Sequence, residues 1–365
     1  MQRWVGIVLL IMLSAVAQAS EPLPGDIIRD LNGLQSQLAE QASGDADNDA
    51  LTDIIRHARS QAARLASGNR ADQWASALYH QLAASALSRQ ENYSAAADEL
   101  ASAQQRRSVP SSQTSKWLRN EASLRRTAGQ TAKAIELYEQ WLNRQPESPQ
   151  HTATAWTLVR LLAEEARWEA AAEWLTPLVE EGDLKASQQA LAIAVFRQTG
   201  QNALALSGLL DGLHADSEPA DWRQAAGLAQ EAGQAGMAAG IWQMAWQLGK
   251  FNTIEDRLTL IRLHLAGGTP ARAGEHLEAA LQEGALARNE ETLRLLARAW
   301  QQARHVEKAL NAWEALAEQT QAADDWRQFG QLAYGWGQDA RAEAALIKAA
   351  NLGDQQAQQW LANFD

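Results

Sequence analysis

A spacing of large and small apolar residues that returns every 33 to 38 positions is the feature that most constrains this chain. Counting from Trp326, Phe329 and Gly330 lie three and four positions on, Ala333 seven and Gly337 eleven. Ala342, Leu346 and Ala349 follow at sixteen, twenty and twenty-three. The same frame fits from Trp222, through Ala226, Ala229, Gly233, Ala238 and Trp242, and from Leu293, through Ala297, Trp300, Ala309 and Trp313. A further good copy starts at Ala155, a shifted one at Leu258, and weaker ones near His80, Leu118 and Gln189, giving about eight units. A fixed period of this length means one supersecondary unit that cannot bury its apolar face alone and stacks on its neighbours.

Apolar residues recur three and four apart on both sides of a central Gly, so each unit reads as two helices joined by a turn. Trp222, Trp242, Trp300 and Trp326 are expected to fill gaps between helices. Ala226, Ala238, Ala297, Ala309, Gly330 and Ala342 mark places where two helices approach closely. Asp221 and Asp325, each just before a Trp, read as N-caps. Pro177 falls inside an expected second helix and should shorten or kink it. Scarce Val and Ile argue against a sheet. The expected fold is therefore all-α, a right-handed superhelical solenoid of paired helices. Its units run over residues 77–353, after an N-terminal helical segment at 20–76 and before a C-terminal capping helix at 354–365.

The first residues, MQRWVGIVLLIMLSAVAQAS, have the three parts of a secretory signal over residues 1–19. Arg3 gives the positive end, Val5 to Val16 the apolar run, and Ala17-Gln18-Ala19 the cleavage site. An exported, periplasmic chain with no integral membrane span after cleavage is the expectation, and an uncleaved anchor remains the alternative. A net charge of −12 offers no basic field for nucleic acid.

Chemistry-bearing motifs are few. The chain has no Cys, and its seven His show no paired ligand spacing. There is no nucleophile elbow and no phosphate-binding loop. No enzyme activity and no cofactor are expected. One window, GDADNDALTD, places Asp45, Asp47, Asp49 and Asp53 at positions 1, 3, 5 and 9 of a calcium loop. Ala50 stands where such a loop needs Gly, and Arg56 where it needs a bidentate carboxylate. The plainer alternative is a solvated acidic turn with Asp49 capping the next helix. Polar residues on the first helix of each unit form the other candidate. Arg223, Arg294 and Arg327 stand one place after their register marks, and Arg298 and Gln331 stand five after. Arg294 and Arg298 share a helix face. Together they would line an inner groove suited to a carboxylate or an acidic peptide, unless neighbours such as Glu290 and Glu291 neutralise them.

The W-x2-L-G-x2-Y…A-x3-F type of spacing resembles the tetratricopeptide (TPR) repeat. More narrowly, the Gly268–Pro270 turn, "LEAALQEGAL", "NEETLRLLARAW" and Lys308-Ala309-Leu310 are similar to exported repeat proteins that accompany TonB–ExbB–ExbD systems of Gram-negative bacteria. That group often has an acidic pair before the Lys, where this chain has Val306-Glu307. The resemblance implies a non-catalytic periplasmic scaffold that holds a protein or peptide partner, with TonB-like or ExbD-like components as candidates, and assists TonB-dependent transport. A chaperone or scaffold in outer-membrane or polysaccharide-export assembly is the alternative.

Overall fold

The computed structural model describes residues 23–41, 47–107, 109–182 and 184–362. The expected signal over residues 1–19 and the carboxylate of Asp45 lie outside them. Every regular element among the described residues is an α-helix. The chain divides into two compact units, Met1–Gln188 and Gln189–Asp365, with the boundary in the first turn of α9.

In the first unit, α1 (Gly25–Glu40) and α2 (Asn48–Leu65) precede three helix pairs: α3 (Arg70–Arg89) with α4 (Tyr93–Gln104), α5 (Ser111–Thr127) with α6 (Thr131–Arg144), and α7 (His151–Glu164) with α8 (Trp168–Glu180). Each helix packs on the next, and α1 also reaches α3. Ile27, Leu31, Leu34 and Leu38 line the buried side of α1, the i, i+4, i+7 spacing of an amphipathic helix. Asp30 anchors the start of the stack, accepting from the Tyr79 hydroxyl at 2.6 Å and facing His57 Nε2 at 3.0 Å. Pro177 does not shorten α8, which runs on to Glu180. It lies in the last turn, where few intrahelical bonds remain to be lost.

The second unit stacks five pairs: α9 (Ala186–Gln198) with α10 (Asn202–Asp211), α11 (Pro219–Glu231) with α12 (Ala235–Gln247), α13 (Ile254–Ala266) with α14 (Pro270–Gln282), α15 (Glu290–Gln302) with α16 (Val306–Thr320), and α17 (Ala323–Gly335) with α18 (Asp339–Asn351). The short α19 (Gln355–Leu361) packs on α18 and is capped by Asp354, which accepts from the Ala357 N–H at 3.0 Å. Both units are solenoid stacks of TPR-like helix pairs.

One turn geometry serves all eight pairs. Each turn has three residues, and the middle one is left-handed: Glu91, Gly129, Ala166, Gly200, Gly233, Gly268, Arg304 and Gly337. The third residue's N–H then bonds back five positions, from Asn92 to Leu87 at 2.9 Å through to Gln338 to Ala333 at 2.9 Å. This is the Schellman arrangement, which satisfies carbonyls that a helix end leaves without partners. At Glu91, Ala166 and Arg304 a side chain adopts φ of 59°, 53° and 54°, at a cost glycine avoids.

Trp222, Trp242, Trp300 and Trp326 are buried, as are Ala226, Ala238, Ala297, Ala309 and Ala342. Gly330 permits a close approach, since a Cβ there would lie 2.7 Å from Leu346 Cγ and 3.2 Å from the Ala342 carbonyl oxygen. Asp221 and Asp325 are not N-caps. The caps are Glu218 and Ala322, which puts both aspartates at the third helical position. Likewise α2 is capped by Asp47, whose side chain accepts from the Asp49 N–H at 2.9 Å, so Asp49 is a first-turn residue.

Candidate functional site

The first helices of neighbouring pairs in the second unit, α15 and α17, frame an open pocket of about 440 Å³. Arg294, Arg298, Gln301 and Gln302 come from α15, Asp324, Asp325, Arg327 and Gln328 from α17, and Trp313 from α16. The Trp313 indole N–H donates to Gln301 Oε1 at 2.9 Å, which fixes that amide at the pocket wall.

The guanidinium groups here do not form the free basic lining that their sequence positions suggested. Arg294 makes a two-pronged contact with Asp325, at 2.6 and 3.0 Å, and a third hydrogen bond to Glu290 at 3.0 Å. Hydrogen bonding to Asp325, acting against burial, raises the Arg294 pKa. Arg327 bonds Asp324 and Asp354, each at 2.7 Å, and these carboxylates raise its pKa too. Outside the pocket, Arg223 reaches Asp256 at 3.4 Å and lies over the Phe251 ring at 4.8 Å.

These contacts repeat. Arg223, Arg294 and Arg327 each follow a register mark by one place and hold a carboxylate at the start of the next first helix or of the cap: Asp256, Asp325 and Asp354. Burial pushes the Asp256 and Asp354 carboxyls up. Bonds from Thr253 and Arg223 in one case, and from the Ala357 N–H and Arg327 in the other, outweigh it and hold both below the usual range. Of the two third-position aspartates first read as caps, Asp325 is thus a receiving end of an inter-repeat ladder, whereas Asp221 bonds only the Glu218 N–H of its own helix start. A sequence signal existed, an Arg after the mark and an Asp some thirty residues on, but only stacking gives it meaning.

Arg298 is different. It is exposed and has no hydrogen bond or ion pair among the described residues, so it is the free cation at the pocket. Gln302 and Gln328 flank the same space. Gln331 is half-buried and lies outside the lining, and Arg223 sits on α11, two first helices away. Of the acidic window, Asp47 caps α2 and Asp53 pairs with Arg56. Among the described residues no group of three or more His, Asp or Glu could hold a metal ion. None of their helices is long and apolar enough to cross a membrane.

A second buried polar cluster lies in α12 to α14. His264 and His276 stack with centroids 5.8 Å apart, and the Nε2 atoms of both face Gln243 Oε1, at 2.9 and 2.8 Å. One amide oxygen can accept both N–H groups only if both rings carry the proton on Nε2. Burial first, then the charge of His276, pushes His264 down to about 4, and burial with Arg257 lowers His276. The pair is a neutral structural core rather than a proton-transfer site.

No protein-family model matches the chain, and no curated protein does. Several solved structures are similar to it at low identity. A tetratricopeptide repeat protein from Parabacteroides merdae is 14% identical over 68% of this chain and 98% of its own, with a TM-score of 0.30. The C-terminal part of a TPR repeat-containing protein from Cytophaga hutchinsonii is 15% identical, covering 66% and 98%, with a TM-score of 0.32. BtubC from P. vanneervenii is 15% identical, covering 74% and 90%, with a TM-score of 0.27.

Proposed function

We propose that the protein is a non-catalytic scaffold that holds a protein or peptide partner in the pocket between α15 and α17. The observation that carries this reading is the unpaired Arg298 at an open, amide-rich pocket whose other arginines are already held by aspartates. A wall with one free cation and two free amides, Gln302 and Gln328, suits a polar, extended segment, whose main chain the glutamines can hydrogen-bond and whose carboxylate Arg298 can orient. The reading extends to a periplasmic role assisting TonB-dependent transport. Its support there is the signal-like N-terminus and the similarity of residues 260–317 described above.

The test is affinity purification of the tagged chain after in-cell crosslinking, with wild type compared to Arg298→Glu. Arg298 lies outside the ladder, so its reversal leaves the stack intact. Loss of a specific envelope partner on reversal supports the pocket, and unchanged recovery removes it. TonB-like, ExbD-like or receptor peptides support the transport role, whereas outer-membrane assembly or export machinery replaces it with the alternative.

A further inference from the structure

A second surface in the second unit has the opposite chemistry. Seven large hydrophobic side chains are exposed among the described residues, and four of them, Leu204, Met237, Met244 and Leu248, belong to α10, α12 and the cap of α12. Helix α12, AGMAAGIWQMAWQ, contains no charged residue at all. Met237, Ile241, Met244 and Leu248 recur at i, i+4, i+7 and i+11, a single stripe along the helix. Exposure of Met237 and Met244 is 45% and 49%. With Leu210, Leu213, Trp222 and Gly240 they line an open, mainly apolar groove of about 380 Å³ between α10 and α12. A solvated helix face without charge is costly to leave bare, and a contiguous apolar patch of this kind marks a contact surface.

The charge of the segment that supplies three of the lining residues gives the second constraint. From Gln198 to Trp222 the sequence holds no Lys or Arg but has Asp211, Asp216, Glu218 and Asp221. Asp211 adjoins the lining residue Leu210, and Asp221 adjoins Trp222. Asp211, Asp216 and Glu218 are exposed. Asp221 accepts from the Glu218 N–H at 3.1 Å. The groove therefore has an apolar lining, and the chain segment that supplies Leu210, Leu213 and Trp222 to it carries four carboxylates and no Lys or Arg.

We propose that this groove docks an amphipathic α-helix of a partner protein, with apolar side chains at i, i+4 and i+7 and Lys or Arg beside them. A helical ridge of i±4 residues packs into the groove beside another such ridge, and the described residues present no sheet edge for an extended strand. Methionines on the floor adapt to differing apolar side chains. The site is independent of the Arg298 pocket, so one chain can hold two partners at once.

The test uses a synthetic, fluorescein-labelled helical peptide of about 18 residues, with Leu on one face and Lys on the other, and a matched peptide with Glu in place of Lys. Fluorescence anisotropy is read with the full chain, with Met237→Glu/Met244→Glu, with the milder Met237→Gln/Met244→Gln, with Asp211→Lys/Asp216→Lys, and with Arg298→Glu. The expected result is saturable binding of the Lys peptide that falls about tenfold or more in either methionine variant and for the Glu peptide. The lysine variant should reverse the preference between the peptides, and Arg298→Glu should change nothing. Circular dichroism melts confirm that the variants remain folded. Equal binding by the methionine variants, or indifference to peptide charge, overturns the proposal. So does a concentration-dependent dimer that Met244→Glu dissolves, which would make a second copy the occupant.

Discussion

Three of the eight helix-pair turns place a side chain where the other five have glycine, and this difference has a calculable consequence. Arg304 is exposed, its side chain has no hydrogen bond or ion pair among the described residues, and it sits at φ 54°. The left-handed conformation costs an L-residue about 1–2 kcal/mol relative to glycine. Glycine returns part of this, about 0.4–1 kcal/mol, through the greater freedom of the unfolded chain. Arg304→Gly should therefore stabilise its unit by about 0.5–1 kcal/mol, and Ala166→Gly and Glu91→Gly should do the same. The sites are far apart in sequence and share no partner, so their effects should add. Gly233→Ala, at φ 72° in the same kind of turn, should cost a similar amount. Urea unfolding followed by circular dichroism reads this as a shift in midpoint at unchanged slope. A lower midpoint for Arg304→Gly and Ala166→Gly, or no effect of Gly233→Ala, would refute the common turn.

Other predictions concern the packed interior and the ladder. Lowering the pH should weaken the second unit through His264. Its pKa falls from 6.5 unfolded to about 4 folded, so the unfolded state takes the proton first. The contribution, up to about 3 kcal/mol, is complete above 6.5 and disappears as pH falls toward 4. Urea midpoints between these limits should lose most of that slope in His264→Gln. A double-mutant cycle on Arg294→Met and Asp325→Asn should give a coupling of about 1 kcal/mol, while Arg298→Met should be close to neutral in the same unfolding assay. Gly274→Ala would place a Cβ 2.6 Å from the Trp300 ring. It should cost about 1–3 kcal/mol and shift the Trp300 emission, and a neutral result would contradict the close approach of α14 to α15.

Helix pairing was legible because apolar spacing is a local property: Trp326, Phe329, Gly330 and Ala333 lie within two turns of one helix and state its buried face directly. The nine buried tryptophans among the described residues, Trp222, Trp300 and Trp326 included, serve that purpose. The left-handed turn positions were legible only where they are glycine, and Glu91, Ala166 and Arg304 give no sign of it. Charge placement was harder. Arg294 and Arg298 look equivalent on one helix face, yet Asp325 of the next pair lies within reach of one and not the other. That distinction depends on a contact 31 positions away. Asp325 itself was misread because an acidic residue before an apolar run is equally consistent with the cap or with the third helical position. The apolar groove was not legible either, since Met237 and Met244 stand outside the repeat frame and nothing in their spacing says that they face solvent.

In the proposed function the partner is held in the pocket between α15 and α17, with Arg298 as its free charge. Site-specific photocrosslinking in cells tests it most directly, with the photoreactive residue placed at Gln302 inside the pocket or at Glu343 on the exposed side of α18. A discrete partner adduct is expected from position 302 that disappears when Arg298→Glu is added, and none from position 343. Adducts from position 343 alone, or adducts at 302 indifferent to Arg298, would contradict it.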